Sequence, residues 1–348
     1  MLSLLIALVT TAQEAPLAVE QDGLVVLEVE SHPPASGWEQ ETRLAGFTGT
    51  AYVRNKGGSL MTFPIYITRP GRYRMHLRNR HEHPDSTLEN DAFVRIGSGP
   101  FIKCFSGIRG EWTWASTLEY SGSDKVPADY DLAAGLHKVE IRGRSENFMI
   151  DRIALYLLEG DRSTRALDPA QPETRGIPPR PPLEGLPKAA AAWDAGRLGT
   201  ALKELDAAGE AAARPREILR AYIDARRAAF EETRKVDPLA ASDGLAFFAQ
   251  RFLAGSDAAR EFMDLAKTWK SEPAAQQELR ARPILALLEK EAEKIQSRGR
   301  VSDDRFARQH ARPLAAIRQL VAKLRSAFPD TWARRRADAL ADGFGLKE

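Results

Sequence analysis

Along residues 24–158, apolar and polar positions alternate in short runs that are separated by Gly and Pro. The clearest runs are LVVLEVE (24–30), LMTFPIYIT (60–68), GRYRMHLRNR (71–80), DAFVRIG (91–97), HKVEIRGR (137–144) and FMIDRIALYL (148–157). A period of two residues indicates β-strands with one buried face. Several such strands at this spacing predict an antiparallel β-sandwich or barrel over residues 20–158.

Residues 159–187 interrupt the alternation, and seven of them are proline. Four of these prolines fall within PPRPP (178–182). Such a composition favours the extended polyproline II conformation and is typical of a semi-rigid spacer. We therefore expect a proline-rich linker between two domains here.

From residue 188 to 348 the period of the apolar positions changes to that of α-helices. The predicted apolar faces are Trp193, Leu198, Ala201, Leu202 and Leu205; Ile218, Tyr222 and Ala225; Ile284, Leu287, Leu288 and Ile295; and Leu314, Ile317, Val321 and Leu324. Prolines 215, 238, 273, 283, 313 and 329 mark predicted helix starts or breaks. An all-α bundle or solenoid follows the sandwich in this prediction.

Three helical stretches resemble tetratricopeptide-type hairpins: AWDAGRLGTALKEL (192–205), RFLAGSDAAREFMDLA (251–266) and SAFPDTWARRRADALA (326–341). The last two share an aromatic residue, a short break, a Ser or Thr cap and an Ala-rich helix. Repeats of this kind stack to bury a continuous core. The resemblance implies a domain that binds a partner protein or braces its neighbour.

The N-terminus carries an apolar run, Leu2–Val9, followed by small residues through Ala12. The run is too short for a membrane span, which needs about 20 residues. It is typical of a secretory signal peptide, although no Lys or Arg precedes it. We expect residues 1–19 to be the signal and the mature N-terminus of a secreted or periplasmic protein. A buried first strand or a misassigned start are the alternatives.

Charge balance and cysteine content narrow the possible functions. The chain has 348 residues, and 50 basic and 48 acidic side chains give a net charge of +2. A nucleic-acid binder normally carries a basic patch, so the balance argues against that class. The single cysteine, Cys104, excludes an intrachain disulfide and is expected to be a small buried hydrophobic residue. HEHPD (81–85) has no third ligand for zinc nearby, so an exposed loop is expected there.

Three carboxylates stand where strands should bury them or bring them together. Glu28 and Glu30 share one side of the first strand, opposite Leu27 and Val29. Asp151 should share the face of an apolar row formed by Met149, Ile153, Leu155 and Leu157. A buried carboxylate needs a partner. If the first and last strands are neighbours, that partner is either a hard cation such as Ca²⁺ or an arginine, such as Arg142, or a backbone amide.

Residues 24–158 resemble the family 6 and family 35 carbohydrate-binding modules, which are jelly-roll sandwiches of the galactose-binding type. The matching pieces are LEVESHPPASGWE (27–39), FPIYITRPGRYRMHLR (63–78), ENDAFVRI (89–96), FIKCF (101–105), GEWTW (110–114) and LAAGLHKVEIRGRSENFMIDRIALY (132–156). The last piece is the most specific, with a strand, a polar loop and a strand that opens with Asp. Val29 stands where Ala is common in these families.

The resemblance implies two sites. A structural calcium would be held by Glu28, Glu30 and Asp151. A sugar would bind at the loop end of the sandwich, stacked on Trp112 or Trp114 and hydrogen-bonded by Asn147 and Arg144, because pyranose C–H faces stack on indole and hydroxyls pair with amides and guanidiniums. The alternative is that one or both tryptophans belong to the core.

The chain contains no nucleophile elbow, no phosphate-binding glycine loop and no carboxylate pair with a catalytic context. The sequence therefore predicts a secreted, non-catalytic glycan-binding protein with a helical interaction domain. A structural or assembly protein of the cell envelope, whose sandwich no longer binds sugar, is the first alternative. A glycan-active enzyme with a site at the domain junction is the second.

Overall fold

A computed structural model of the chain describes residues 17–32, 34–85, 88–97, 99–119, 125–295 and 301–346. Most of the predicted signal segment lies outside the described residues, since only residues 17–19 of it are included. Within these ranges β-strands fill the first half and α-helices the second, as the sequence predicts. No described helix has the length and apolar character needed to cross a membrane.

Thirteen strands are present in the described part of the sandwich. They are β1 Ala18–Val19, β2 Leu24–Glu28, β3 Trp38–Glu41, β4 Tyr52–Asn55, β5 Leu60–Ile67, β6 Gly71–Arg80, β7 Asp91–Ile96, β8 Ile102–Phe105, β9 Thr117–Glu119, β10 Lys125–Pro127, β11 Asp129–Leu132, β12 Gly135–Gly143 and β13 Met149–Leu157. Each of the six runs with clear alternation contains a strand, but the first strand ends at Glu28, so the prediction that Glu30 belongs to it is wrong. A 3-10 turn, Val29–Ser31, follows β2.

The strands form two mainly antiparallel sheets packed face to face. Sheet A has the order β1-β5-β12-β7-β8-β9-β10, and sheet B has the order β11-β6-β13-β4-β3, with β2 also paired to β13. The core between them contains the inward side chains of both sheets, among them Phe63, Leu77, Ile141 and Leu155. Cys104 lies in this core, so its prediction as a buried hydrophobic residue is confirmed.

A β-bulge interrupts strand β13 at Asp151. The register with β6 shifts between Ile150 and Arg152, so Asp151 is an extra residue opposite the partner strand. As a result, both Ile150 and Ile153 join the core, whereas Met149 is not part of it. The prediction that Asp151 shares one face with Met149, Ile153, Leu155 and Leu157 is therefore wrong, because the bulge puts Met149 on the opposite face from the other three.

The described helices follow in sequence. They are α1 Ser163–Ala166, α2 Pro187–Asp194, α3 Leu198–Ala207, α4 Ala213–Val236, α5 Pro238–Phe252, α6 Asp257–Ser271, α7 Pro273–Glu293, α8 Asp304–Gln309, α9 Ala311–Ala327 and α10 Trp332–Gly343. One apolar core joins α2 to α6, and a second joins α7 to α10. Pro283 lies inside the continuous helix α7, so it marks no break.

Two predicted helix caps are confirmed with matching geometry. Ser256 caps α6, since its hydroxyl donates to the Leu253 carbonyl at 2.7 Å and accepts from the Ala259 amide at 3.2 Å. Thr331 caps α10 by the same pair of contacts, to the Phe328 carbonyl and the Arg334 amide. The shared sequence pattern thus marks equivalent helix starts, while a tetratricopeptide-like repeat stays a prediction.

Part of the segment 159–187 packs against the sandwich, while its role as a linker between two domains stays a prediction. Thr174 is buried, its amide donates to the Val26 carbonyl at 3.0 Å, and its carbonyl accepts from the Val19 amide at 2.8 Å. Glu173 accepts from the Glu28 amide at 2.8 Å. These contacts along the edge of β2 supply hydrogen-bond partners for the backbone of the proline-rich segment. Proline has no N–H group, so this segment cannot form a regular β-ladder.

Helices α4 and α5 cover one half of the outer face of sheet A. Tyr66 of β5 stacks on Phe247 with ring centroids 4.8 Å apart and also meets the edge of Phe230. Arg226 of α4 donates to the Glu20 carbonyl at 2.9 Å and to the Thr68 hydroxyl at 2.6 Å. The sandwich and the helices therefore share a packed junction with both apolar and polar contacts.

Candidate functional site

The three predicted carboxylates meet at one loop, which runs from Ala45 to Ala51. The Thr48 amide donates to Asp151 at 3.0 Å, and the Thr48 hydroxyl lies 2.9 Å from Glu28 Oε2 and 3.0 Å from Asp151 Oδ2. The Thr50 amide donates to Glu30 at 2.6 Å. Strands β2 and β13 are neighbours, as expected, with Glu28 opposite Arg152.

Arginines pair with two of these carboxylates. Arg78 of β6 forms a salt bridge with the fully buried Asp151 and donates to the Gly46 carbonyl at 2.9 Å. Arg152, one residue after the bulge, forms a buried salt bridge with Glu28. The expectation of an arginine partner for Asp151 is confirmed, but that arginine is Arg78. Arg142 lies on sheet A, stacked over Phe93.

Glu30 is the carboxylate with no arginine partner among the described residues. Its Oε2 atom is buried without a hydrogen-bond partner, and burial raises its pKa despite hydrogen bonds from Thr50 and Ala51. Burial also raises the pKa of Asp151, although Arg78 and Thr48 oppose it. Gly49, at φ +64°, lets the loop close over Glu30, because a Cβ there would lie 1.9 Å from Glu30 Oε1.

The donor chemistry of this cluster suits calcium, but its arrangement does not. Carboxylates are the ligands that Ca²⁺ selects, and it takes about six to eight oxygens. Here, guanidiniums already neutralise Glu28 and Asp151. Within the described residues, no group of three or more His, Cys, Asp or Glu side chains is placed to hold a metal ion. Calcium at Glu28, Glu30 and Asp151 stays a prediction from the resemblance.

Trp112 packs over this same loop. Its indole nitrogen donates to the Ala45 carbonyl at 3.1 Å, and its ring meets Tyr52 edge-on with centroids 5.1 Å apart. The Arg78 guanidinium lies 5.7 Å from the Trp112 ring centroid. Trp112 therefore holds the loop and covers the arginine that neutralises Asp151.

Trp114 lies apart from these contacts. Its carbonyl oxygen is 2.7 Å from His76 Nδ1, and the His76 ring in turn stacks on Tyr156. Both Trp112 and Trp114 are half-buried, and neither belongs to an apolar core of the described residues. The alternative that one of the pair is a core residue is therefore wrong, because Thr113 between them forms only an isolated bridge to Asn79.

Asn147 lies in a groove of about 320 Å³ on the sheet B side of the sandwich. Its side-chain oxygen Oδ1 accepts hydrogen bonds from Arg54 at 2.6 Å and from Lys56 at 2.7 Å. Its side-chain nitrogen Nδ2 donates to Glu89 at 2.7 Å. Its backbone adopts φ +64°, which Asn tolerates better than most residues. The residue thus links Arg54 and Lys56 of one segment to Glu89 of another.

Glu41 lines the other side of this groove. It accepts hydrogen bonds from Tyr52 at 3.0 Å and Arg54 at 3.1 Å, and it pairs with Arg43. Burial alone would raise the pKa of Glu41, but these hydrogen bonds outweigh it and hold the pKa below its usual range. Leu44 and Met149 add apolar surface. The groove therefore combines carboxylates and guanidiniums with an aliphatic floor.

Arg144 points away from Asn147. It forms a salt bridge with the fully buried Asp91 at the start of β7, and Ser145 also donates to Asp91. Its guanidinium lies 5.9 Å from the Phe93 ring on sheet A. The four residues predicted to bind sugar therefore occupy different places, and only Asn147 lies in the groove.

The sequence reasoning missed most of the groove: Glu41, Arg43, Tyr52, Arg54 and Glu89. Strands β3 and β4 supply four of these positions or border them, yet each strand has only four residues with weak alternation. One signal was available in the sequence, because the Glu-Asn pair before β7 is typical of a turn. In the structure, Glu89 adopts φ +58° at this turn.

The HEHPD segment is only partly exposed. His81 at its start is fully buried, and the Gly110 amide donates to its carbonyl at 2.9 Å. Burial lowers the pKa of His81, so the neutral ring is favoured. The prediction of an exposed loop is wrong for this residue because the Gly110 turn folds over the end of β6.

No protein-family model matches the chain, and no curated protein matches it. Among solved structures, a GH26-CBM35 β-(1,4)-mannanase from Podospora anserina is similar at 21% identity and TM-score 0.32. That match covers 53% of this chain and 35% of the mannanase, so it spans about a third of that protein's length.

Isolated modules are also similar to the chain. A family 35 carbohydrate-binding module from Clostridium thermocellum matches at 13% identity and TM-score 0.29, covering 38% of this chain and 98% of the module. A family 6 module from the lichenase 5A of Cellvibrio mixtus, in complex with cellotriose, matches at 18% identity and TM-score 0.28, covering 38% and 95%. Modules of families 35 and 6 are thus among the structures similar to this chain, as the sequence resemblance predicts.

Proposed function

We propose that the protein binds a glycan, without turning it over, in the groove around Asn147. The observation that carries this proposal is the groove's composition, in which one amide joins Arg54, Lys56 and Glu89 at an open surface. Carboxylate, amide and guanidinium groups are planar hydrogen-bonding partners for ring hydroxyls. A volume of about 320 Å³ lies at the lower end of the roughly 300–1,000 Å³ typical of ligand sites.

The cross-links made by Asn147 organise the groove before a ligand arrives, which lowers the cost of ordering side chains on binding. The amide oxygen is saturated by Arg54 and Lys56, but one amide hydrogen has no partner among the described residues. That hydrogen supplies one donor for a ring hydroxyl of the ligand. Leu44 and Met149 offer the aliphatic floor against which a C–H face of a sugar packs.

Affinity electrophoresis of the full chain in gels containing neutral polysaccharides tests this proposal. Asn147→Gly keeps the positive φ and removes the amide, so it should weaken retardation about tenfold, as expected for losing hydrogen bonds in a charged network. Asp22→Gly is the matched control, because Asp22 also has positive φ, at 52°, and does not line the groove. No retardation on any glycan, or equal retardation of Asn147→Gly and the wild type, would contradict the proposal.

Binding without catalysis is supported by the state of Glu41. Its lowered pKa keeps it ionised, which suits hydrogen-bond acceptance and opposes a role as proton donor. The alternative of a glycan-active enzyme predicts that reducing ends appear when the full chain is incubated with the polysaccharide that it retains. If reducing ends form faster with the wild type than with Glu41→Gln, turnover replaces binding as the proposed function.

Export is also part of the proposal, supported by the apolar run Leu2–Val9 and the small residues that follow it. Fractionation of the producing cells, with the mass of the mature chain, tests it. A chain that begins at Met1 and stays with the cytoplasmic fraction would contradict export.

We further propose that Arg78 and Arg152 take the place that the resemblance assigns to calcium. Their salt bridges to Asp151 and Glu28 support this. Melting of the full chain with calcium and with chelator should then give midpoints within about 1 °C. Calcium at a hundredfold excess over its Kd would instead add about 2.7 kcal/mol and raise the midpoint by several degrees. Such a rise would restore the calcium prediction.

A structural or assembly role is the second candidate, and the junction at Tyr66 favours it. There the helices pack on sheet A through Phe247 and Arg226 and fix the helical half of the chain against the sandwich. This role is supported over glycan binding if the chain binds no glycan and captures one defined protein from its own envelope fraction. Arg226→Met, which loosens the junction, should then abolish that capture.

A further inference from the structure

The other half of the outer face of sheet A carries interleaved aromatic and cationic side chains, which we call the cation–aromatic face. It consists of Phe93, Arg95, Phe101, Lys103, Phe105, Lys125, Arg142 and Arg144. Arg142 of β12 stands opposite Phe93 of β7, which stands opposite Lys103 of β8. Cross-strand pairing thus builds a row that alternates cation, ring and cation.

Arg142 is the centre of this face. Its guanidinium lies 4.9 Å from the ring centroids of both Phe93 and Phe101, and its side chain is exposed. No carboxylate pairs with it among the described residues, in contrast to Arg95, which pairs with Glu140. Stacking on two rings orients the guanidinium while its hydrogen-bond donors stay directed to solvent.

The face also keeps a local excess of positive charge. Its five cations meet three carboxylates: Glu140 with Arg95, Glu119 with Lys103, and Asp91 with Lys103 and Arg144. Lys125 lies 3.3 Å from the Phe105 ring centroid and has no carboxylate partner in the described chain. An excess of two charges distributed along a flat sheet suits a polymer with widely spaced anionic groups.

We propose that the cation–aromatic face binds a polysaccharide that carries carboxylates, through Arg142 and Lys125. A guanidinium fork forms bidentate hydrogen bonds with carboxylates, and the two rings under Arg142 hold that fork in place. Single-stranded nucleic acid fits less well, because its bases need free aromatic planes and guanidiniums already cover Phe93 and Phe101. This face lies on the opposite sheet from the Asn147 groove, so the two sites are independent.

Affinity electrophoresis of the full chain in polygalacturonate or alginate tests the proposal. The wild type should be retarded, and the retardation should fall as salt is raised from about 0.05 to 0.5 M. Arg142→Gln should weaken binding about tenfold through the lost charge-assisted hydrogen bonds, and Arg142→Lys about threefold, since it keeps the charge but not the fork. Each variant should melt close to the wild type, because Arg142 is exposed.

Arg305→Gln is the matched control, since it removes one exposed positive charge on helix α8 and should bind like the wild type. Asn147→Gly should also keep its retardation on polyuronate, which separates this site from the groove. The proposal is overturned if polyuronate does not retard the wild type, if Arg142→Gln binds as well as Arg305→Gln, or if a single-stranded oligonucleotide binds more tightly than polyuronate.

Discussion

Sheet A presents aromatic side chains on both halves of its outer face, and the two halves provide different partners for them. On β5, Tyr66 stacks on Phe247 and is 4% exposed, so helices remove it from water. On β7, Phe93 is half-buried under the guanidinium of Arg142, which itself stays in solvent. The same kind of outward ring is enclosed by helices at one half and covered only by exposed arginine side chains at the other.

The difference shows which half stabilises the fold and which half is free to bind. Burying Tyr66 requires that the polar groups around it be satisfied, and Arg226 and Thr233 do so by hydrogen bonds to Thr68. On the cation–aromatic face, water satisfies the donors of Arg142 until a ligand does. Substitutions at the covered half should therefore cost stability, and those at the open half should cost binding.

The largest expected loss is at Gly244 of helix α5. A Cβ there would lie 2.5 Å from Phe230 and 2.7 Å from the Tyr66 hydroxyl, so Gly244→Val should lower the free energy of unfolding by about 3 kcal/mol. Denaturant titration measures it. Gly343→Val is the control, since nothing lies within 4 Å of its Cβ position. A Gly244→Val variant as stable as that control would show that the junction is loose.

The second prediction compares one substitution at both halves. Arg226→Met leaves the buried Glu20 carbonyl and Thr68 hydroxyl without a donor, which should lower the free energy of unfolding by about 2 kcal/mol. Arg142→Met, at an exposed site that loses only cation–ring contacts, should change it by no more than about 1 kcal/mol. Equal losses in the two variants, measured by urea unfolding, would remove the distinction between the halves.

The third prediction concerns alkaline pH. Burial raises the pKa of Tyr66, so the folded chain keeps this proton where the unfolded chain, with a pKa near 10, releases it. Stability should therefore fall as pH rises above about 10, and Tyr66→Phe should reduce that fall by up to about 1.4 kcal/mol per pH unit. Unfolding curves at pH 9, 10 and 11 measure it. Parallel pH profiles for variant and wild type would contradict the buried state of this phenol.

The smallest expected effect is at Phe93. Phe93→Leu removes the ring under Arg142 and Arg144, and such exposed contacts contribute about 0.5–1 kcal/mol. Thermal melting should show a correspondingly small shift, while retardation on polyuronate should fall. A loss of stability as large as that of Gly244→Val would mean that this half is also part of the folded core.

Local pattern predicted the elements well. Each of the six alternating runs contains a strand, and the face Leu314, Ile317, Val321 and Leu324 of α9 is buried as expected. For helix α4 the apolar pattern selected Tyr222 and Ala225, yet Ala225 is exposed. The buried face of that helix includes Arg226 and Thr233, because the sandwich provides their hydrogen-bond partners. A periodicity of apolar residues carries no information about such partners.

The candidate sites were predicted less completely. The resemblance to family 6 and family 35 modules implied Asn147, and the carboxylate cluster was expected on the condition that the first and last strands are neighbours. The groove around Asn147 depends on β3 and β4, whose short polar strands gave no signal. Trp112 had the residue type for a sugar platform, but its indole is engaged by the Ala45 carbonyl.

The sequence by itself determined the succession of strands and helices and the helix caps, because each depends on residues close together in the chain. Only the tertiary structure decided that Asp151 sits on a bulge and pairs with Arg78, 73 residues away. It also decided that Arg226 reaches Glu20 across 206 residues. A buried charge is stabilised by whichever opposite charge or dipole the fold brings within about 3–4 Å, and that distance is set by packing between elements.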